Sequence, residues 1–241
     1  MLLNHVYKHN DTLSFRNGVT FYTQSYTEDD SKDLSLISLN TTPIYNVDKT
    51  NYMVTFGYDH IWYNDVAYLN NYYIAPKISH MIQNNLIYEA SIKLLEKDFF
   101  TPNQDKDSTS YELSNKLMYQ NNTFGIFGTE IILGTENEEK EARTDVSKDY
   151  FSLKLTHAYK ISSLLTLNSN IGFIDTNYKD EDINFVSKRE DESYNLGAGL
   201  SYEYSKQTTL GLSYNYLNQN SNHEPFEYDK QVVKTYLYYN F

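Results

Sequence analysis

The chain of 241 residues and 28.3 kDa fits one large domain or two small ones, and 20 Lys plus Arg against 32 Asp plus Glu leave a net charge of −12 at pH 7. This charge argues against nucleic acid as a partner, because a protein that binds a phosphate backbone needs a basic face. The lack of cysteine excludes disulfides, cysteine-bound zinc and thiol nucleophiles. The mean hydropathy of −0.63 and the lack of any run near ~18 apolar residues leave no candidate transmembrane helix.

Aromatic residues make up 16% of the chain, and 25 Tyr and 12 Phe stand against a single Trp. Disordered chains are poor in aromatic residues, so this composition indicates an ordered protein. Tyrosine favours strands and has an apolar ring with a polar tip. The composition therefore predicts a strand-rich protein with large amphipathic surfaces.

An alternation of apolar and polar residues with a period of two runs through the chain, as it does from Leu196 to Leu200, where Gly197 and Gly199 separate the apolar positions. Strands with one apolar and one polar face give this pattern. In chain order we predict twelve strands, at residues 12–26, 34–45, 51–63, 68–82, 86–99, 109–119, 123–134, 149–160, 164–176, 193–204, 208–217 and 229–241. They exceed the ~5–6 residues usual in soluble sheets and match the ~9–11 tilted residues that cross a bilayer.

The first residues, 1–11, are predicted to be the tail of a preceding strand or a linker, and residues 12–241 to be one barrel domain. Met1–Lys8 is strand-like and a turn-like His9-Asn10-Asp11 follows it. We therefore expect that an amino-terminal part of the natural protein is missing.

The predicted connections alternate between short turns and longer, charged loops. The longer segments, at 27–33, 101–108, 136–148, 177–192 and 217–228, hold most of the 32 acidic residues together with their flanks, whereas Asp48 is the acidic residue of the short turns. With antiparallel strands, all long loops fall at one end. This asymmetry is typical of an outer-membrane β-barrel. We predict an all-β, antiparallel, up-and-down transmembrane barrel of about 12 strands, with 14 strands as the alternative for the intact protein.

A barrel of this width has room for a polar lumen, since only about 8 strands can be filled by side chains alone. The same alternation predicts which charged residues line it: Arg16, Asp59, Lys77, Glu89, Lys93, Lys116, Lys154, Glu203 and Lys234. Both signs are present. The first expectation is that these residues pair and brace the wall, and the alternative is a conduction pathway. Tyrosines at strand ends are expected to form the girdles at the two membrane interfaces.

The last strand ends with Tyr238-Tyr239-Asn240-Phe241. It resembles the closing strand of bacterial outer-membrane barrels, which carries a signal read by the barrel assembly machinery. The resemblance assigns the polar position of this signal to Lys234 and the two alternating aromatic positions to Tyr239 and Phe241. Tyr236 stands where that superfamily usually has glycine.

A second resemblance rests on the segment Tyr58–Lys77, with its Tyr-Leu-Asn-Asn-Tyr-Tyr-Ile-Ala-Pro-Lys ending. It is similar to the carboxy-terminal barrels of tetratricopeptide-repeat outer-membrane proteins of the surface lipoprotein assembly modifier type, which are usually fourteen-stranded. The resemblance implies an export or surface-assembly protein that passes or helps insert a lipoprotein or polymer delivered from a periplasmic repeat domain.

Three functions are open at this point: this export role, a stand-alone small porin-like channel with a mixed-charge lumen, and a soluble β-rich adhesin. The acidic loops fit a solvated rim, or a rim that captures divalent cations beside lipopolysaccharide. Metalloprotease, esterase and P-loop motifs are absent. His60, His80 and His157 are predicted on the outward face, and no serine lies on that face two residues from any of them. We expect no enzymatic activity, no metal and no cofactor. The expected partners are outer-membrane lipid and lipopolysaccharide, the assembly machinery, a repeat domain and its cargo.

Overall fold

The structure is a computed structural model that describes residues 2–24, 33–140, 143, 145–182 and 184–239. Its described part is built from thirteen strands and two single-turn 3-10 helices, Gln104–Lys106 and Glu224–Phe226. The strands are β1 Leu2–Lys8, β2 Leu13–Gln24, β3 Leu34–Val47, β4 Thr50–Tyr63, β5 Val66–Gln83, β6 Leu86–Phe99, β7 Ser108–Asn121, β8 Gly125–Glu138, β9 Lys148–Lys160, β10 Leu165–Asp182, β11 Ser187–Glu203, β12 Thr208–Ser221 and β13 Tyr228–Tyr239.

The strands form one sheet whose order follows the chain from β1 to β13. The pairs β1–β2, β2–β3, β3–β4, β4–β5, β10–β11, β11–β12 and β12–β13 are antiparallel. Each strand thus pairs with the strand that follows it. This is the predicted all-β, up-and-down arrangement, with one strand more than the twelve counted from sequence.

Two compact units divide the chain. The first consists of Met1–His80, Glu89–Ser114 and Gly134–Lys148, and the second of Met81–Tyr88, Asn115–Leu133 and Asp149–Phe241. The clusters described below each lie within one unit.

The register separates an apolar face from a polar face, because paired residues point to the same side of a sheet. Between β10 and β11, Ile171 pairs with Leu196 on the apolar face, whereas Asn170 pairs with Gly197 on the polar face. Large side chains on the apolar face are exposed, among them Phe56, Tyr72, Ile171, Leu196, Leu212 and Leu237. Within the described residues only Leu69 and Val146 are buried apolar residues, so the sheet exposes the surface that a soluble protein would bury.

The connections confirm that one end of the sheet carries the longer loops. Tight turns at 48–49 and 84–85 alternate along the chain with the longer connections 100–107, 139–147 and 222–227. Two connections at this loop end are short, the one between β10 and β11 and the turn at Asn64 and Asp65. Asn64 and Asp65 adopt positive φ angles of 50° and 59°. Asn and Asp tolerate this conformation, which suits a two-residue hairpin turn.

Several strands run further towards the loop end than predicted. The segment 177–192, predicted as a loop, is a hairpin in which β10 continues to Asp182 and β11 begins at Ser187. Likewise β8 continues to Glu138 and β12 to Ser221. Many acidic residues assigned to loops therefore lie on strands. Leu2–Lys8, predicted to be the tail of a preceding strand or a linker, forms strand β1, which is paired with β2.

Neither 3-10 helix, nor any other helix among the residues that the structure describes, has the length and apolarity to cross a membrane.

Candidate functional site: the polar face of the sheet

The charged residues predicted to line the lumen lie on the polar face. Lys77 of β5 forms an ion pair with Glu89 of β6, with Nζ and Oε2 3.3 Å apart. The Lys93 ammonium lies 5.1 Å from the centre of the Tyr73 ring, a cation–π distance. The Asp59 carboxylate accepts a long hydrogen bond of 3.4 Å from the Asn71 amide. In this region the charged side chains contact their neighbours and brace the wall.

Other predicted residues are placed by register or alternation. Arg16 pairs with Thr42, Glu203 with Thr209 and Lys234 with Ser213, all on the polar face. Lys116 shares its side of β7 with Ser108, because eight residues separate them along a strand of alternating orientation. Lys154 borders a depression together with Asn170 of the polar face. The structure thus puts all nine residues on the polar face. That they line a lumen stays a prediction.

In the second unit the polar face has a different composition, because β10–β12 carry small polar residues there. Asn170, Gly197 and Asn215 lie side by side on three consecutive strands. Beside them is a depression of about 340 Å³ whose lining includes Lys154, Asn170, Asn195 and Asn215. Asparagine, serine and glycine fill little volume, so this wall leaves space next to groups that can form hydrogen bonds.

A buried carboxylate lies at the loop end of the first unit. Glu136 is 5% exposed, and its Oε1 accepts bonds of 2.6 Å from the Lys97 ammonium and 2.7 Å from the Ser108 hydroxyl. Lys148 lies 3.4 Å from Oε2. Burial favours the neutral carboxylic acid, but the two ammonium groups and the hydroxyl outweigh it and hold the pKa of Glu136 below its ordinary value. Sequence analysis placed Glu136 in a solvated loop and did not find this cluster.

The connection after β8 is fastened to the connection before β7. The Lys140 ammonium donates to Asp107 Oδ2 at 2.8 Å and to the Gln104 carbonyl at 3.0 Å. The Arg143 guanidinium donates to both oxygens of Asp145 at 2.6 Å and to Asp105 at 3.2 Å. These bonds hold the pKa of Asp145 below its usual value. The loop end of this unit is ordered by ion pairs.

A cluster of arginine, histidine and aromatic rings orders the loop end of the second unit. Arg189 donates to both oxygens of Asp191, and its guanidinium lies 4.3 Å from the Tyr178 ring and 3.7 Å from the Phe226 ring. His223, 2% exposed, stacks on Phe185 with ring centres 4.1 Å apart. Its Nε2 lies 2.8 Å from the Ser187 hydroxyl. No sequence pattern indicated these contacts.

The predicted assembly signal is described only in part. Lys234 and Tyr236 lie on the polar face of β13, and the Tyr236 hydroxyl lies 2.8 Å from that of Ser201. Phe241 and the side chain of Tyr239 are outside the described residues. The histidines predicted on the outward, apolar face lie on that face. His60 Nδ1 lies 2.6 Å from Asn70 Oδ1, and His157 stacks on Phe127.

Comparison with known proteins identifies the fold. The family model "Putative beta-barrel porin 2" matches residues 126–240, from β8 to β13. No curated protein matches the sequence at a significant level. Among solved structures, the chain is similar to OmpTdeltaL8, a loop L8 deletion mutant of the Vibrio cholerae outer membrane protein OmpT, with 11% identity, a TM-score of 0.64, and coverage of 99% of this chain and 89% of that chain.

Two further solved structures are similar to the chain over most of its length. In-vitro folded OmpT of Vibrio cholerae has 10% identity and a TM-score of 0.60 over 99% of this chain and 88% of that chain. Pseudomonas aeruginosa OccD3 (OpdP) has 9% identity and a TM-score of 0.52 over 98% of this chain and 67% of that chain. At such identities the likeness concerns the fold, which is that of an outer-membrane β-barrel.

The exposed apolar face has a natural environment in this fold, because outer-membrane barrels turn such a face towards lipid. The chain therefore lies in the outer membrane of a Gram-negative bacterium. This location does not agree with the alternative of a soluble β-rich adhesin, which would need the apolar face as its core.

Proposed function

We propose that the protein is a porin-like channel that passes small hydrophilic solutes across the outer membrane without a catalytic step. The observation that carries this proposal is the small size of the side chains on the polar face of β10–β12. Asparagine, serine and glycine stand there in place of the large side chains that would fill a barrel. In outer-membrane barrels, the face opposite the lipid lines the interior. A wall of small polar side chains leaves room there for water and solute.

The charges on the polar face support weak rather than strong selectivity. Lys77 is neutralised by Glu89, whereas Lys154 and Lys234 form no ion pair within the described ranges. Of the three arginines, Arg143 and Arg189 are held by carboxylates at the loop end. The polar face thus offers scattered single cations and no continuous cationic track.

Planar bilayer recording tests the channel. The detergent-folded protein should insert and produce discrete conductance steps in 1 M KCl. Protein that shows heat-modifiable migration in gels, and is therefore folded, but gives no conductance at any voltage would rule out the channel. A variant with Gly197→Trp, which places a large ring on the wall of β11, should lower the step size if the solute path runs along this wall.

We also propose, as a second function, the export role implied by the segment Tyr58–Lys77. That segment lies on β4, β5 and the turn between them, so its support is the wording of the sequence and not a separate site. The reading frame upstream of Met1 tests it: codons for tetratricopeptide repeats would support the role, and their absence from the gene would remove it.

The partners that we propose follow from the same location. Lipid and lipopolysaccharide would contact the apolar face and the acidic loop end, and the assembly machinery would read Lys234, Tyr239 and Phe241. Truncation of the last three residues should reduce the amount of folded protein in the outer membrane while inclusion-body protein still folds in detergent. Equal membrane levels of both forms would contradict the signal.

A further inference from the structure

The depression that extends from β9 to β12 is lined by polar side chains, among them two amides with no hydrogen-bond partner in the described ranges. Asn170 and Asn215 lie on either side of Gly197, so close that a Cβ atom at this glycine would be 2.3 Å from Asn170 Nδ2 and 2.4 Å from Asn215 Oδ1. Within the described part of the chain, neither side-chain amide has a hydrogen-bond partner, although each offers two donors and an acceptor. Glycine at 197 thus allows two free amides to converge over one point of the wall.

Further groups extend the same depression. Asn195 makes one long bond of 3.4 Å to the Tyr216 carbonyl, and the hydroxyl of Ser152 and the ammonium of Lys154 also border the space. Two apolar side chains, Ile174 and Leu217, also line it, as does Ser193, whose hydroxyl donates to Gln219. The depression therefore combines amide donors and acceptors, a hydroxyl, one cation and an apolar patch.

This combination indicates the class of ligand. A sugar presents hydroxyl groups, each a donor and an acceptor, around a ring with apolar C–H faces, and amide side chains can pair with adjacent hydroxyls. A phosphate or carboxylate would call for an arginine fork or several cations, whereas the lining contains a single lysine. The volume of about 340 Å³ is at the lower end for small-molecule sites, which suits one sugar ring.

We propose that this depression is a binding subsite for a neutral monosaccharide on the wall of the channel. The inference rests on the proposed channel function, since it names the solute that such a wall would hold. Binding must be weak enough for release, which agrees with the partial burial of the three asparagines.

The double variant Asn170→Leu/Asn215→Leu tests the subsite, with D-glucose as the probe. Saturation-transfer NMR on the folded protein in detergent measures binding, and sugar-induced interruptions of single-channel current measure passage. Loss of two to three neutral hydrogen bonds should weaken glucose binding at least about tenfold. The matched control is Asn168→Leu, two residues before Asn170 on the same face of β10, because Asn168 already donates to Ser201 and does not border the depression. It should leave glucose binding unchanged.

The outcomes separate the inference from the proposed function. Conductance without glucose binding would overturn the subsite and leave the channel. Glucose binding that the double variant abolishes, in a protein without conductance, would support the subsite and remove the channel. Tighter binding of gluconate than of glucose, lost in Lys154→Met, would overturn the neutral-sugar assignment. Equal loss of binding in Asn168→Leu would overturn the location of the subsite.

Discussion

Two glycines on the polar face lie beneath tyrosine rings of the neighbouring strand. Gly57 pairs with Tyr73 and Gly211 pairs with Tyr236. A Cβ atom would lie 2.0 Å from the Tyr73 ring and 1.9 Å from the Tyr236 ring, distances that real atoms do not reach. The Tyr236 ring of β13 therefore covers Gly211 of β12. Each ring therefore depends on the missing side chain opposite it.

Substitution of Gly57 or Gly211 by alanine should lower the free energy of unfolding by about 1–3 kcal/mol, because the tyrosine ring must leave its place. The measurement is urea unfolding in lipid vesicles. Gly172→Ala is the control, since its Cβ would be 3.5 Å from Asn195 Cβ, an ordinary contact. In the double variant Gly57→Ala/Tyr73→Ala the two losses should not add. Additive losses would show that the ring and the glycine act independently.

A second residue-scale prediction concerns Glu136, whose pKa lies below its ordinary value of 4.5. A lowered pKa in the folded state adds stability that is complete above 4.5 and is lost as the pH falls through the lowered pKa. Glu136→Gln should cost about 2 kcal/mol at pH 7, because Lys97 and Lys148 lose their common acceptor while remaining partly hydrated. The urea midpoints of wild type and variant should converge in acid. A constant difference from pH 7 to pH 3 would contradict this, and exposed Glu224→Gln should show no difference at either pH.

At the scale of elements, the sequence pattern predicted the membrane-crossing strands well. It predicted poorly the outer hairpin, which is the part of β10 and β11 within residues 177–192. Lipid requires an apolar face, and each of the twelve predicted segments corresponds to one strand within the described residues. Beyond the lipid no such face is needed: around Lys179 and Lys188 both sides of the hairpin are polar, and the period of two disappears. Strand pairing continues there, with Glu181 opposite Lys188. Across the hairpin, the Arg189 guanidinium packs on the Tyr178 ring, a contact between strands that no local pattern reveals.

The candidate site was also predictable only in part. Alternation placed all nine charged residues on one face, but a single sequence does not show which side chains meet across strands. Glu136 meets Lys97 and Ser108 only through pairing of distant segments, and the convergence of Asn170 and Asn215 over Gly197 depends on the register of three strands. The sequence therefore predicts on which face of the sheet a residue lies, whereas the strand register determines which residues form a cluster.

The outer hairpin leads to a prediction about exchange. The Glu190 amide donates to Asn222 Oδ1 at 2.9 Å, and the Asn222 side chain donates to the Lys188 carbonyl at 2.8 Å. Amides of residues 187–192 should therefore exchange slowly, unlike those of a solvated loop. Asn222→Ala should accelerate exchange at Glu190, as followed by hydrogen exchange and mass spectrometry. Asn220→Ala is the control, because the Asn220 side chain has no hydrogen bond in the described structure. Fast exchange across 187–192 in the wild-type protein would contradict the hairpin.

At the scale of the whole molecule, the charge of −12 is concentrated towards the loop end, where the connections and the outer parts of β8, β10 and β11 carry acidic residues. Ion pairs with Lys97, Lys140, Arg143 and Arg189 neutralise only some of them. An excess of negative charge at one mouth of a channel raises the local concentration of cations. The scattered cations of the polar face oppose this effect over shorter distances.

We therefore expect the proposed channel to prefer K⁺ over Cl⁻ at low salt and to lose this preference at high salt. The Debye length falls from about 10 Å at 0.1 M to about 3 Å at 1 M, so acidic groups around the mouth act on a passing ion only in dilute solution. The reversal potential under a fixed KCl concentration ratio, measured around both mean concentrations, gives the permeability ratio. Lys154→Gln removes one opposing cation and should increase the cation preference at both concentrations, because Lys154 lies on the wall itself. A preference for Cl⁻ at 0.1 M would show instead that the cations of the polar face, and not the acidic loop end, control the passage of ions.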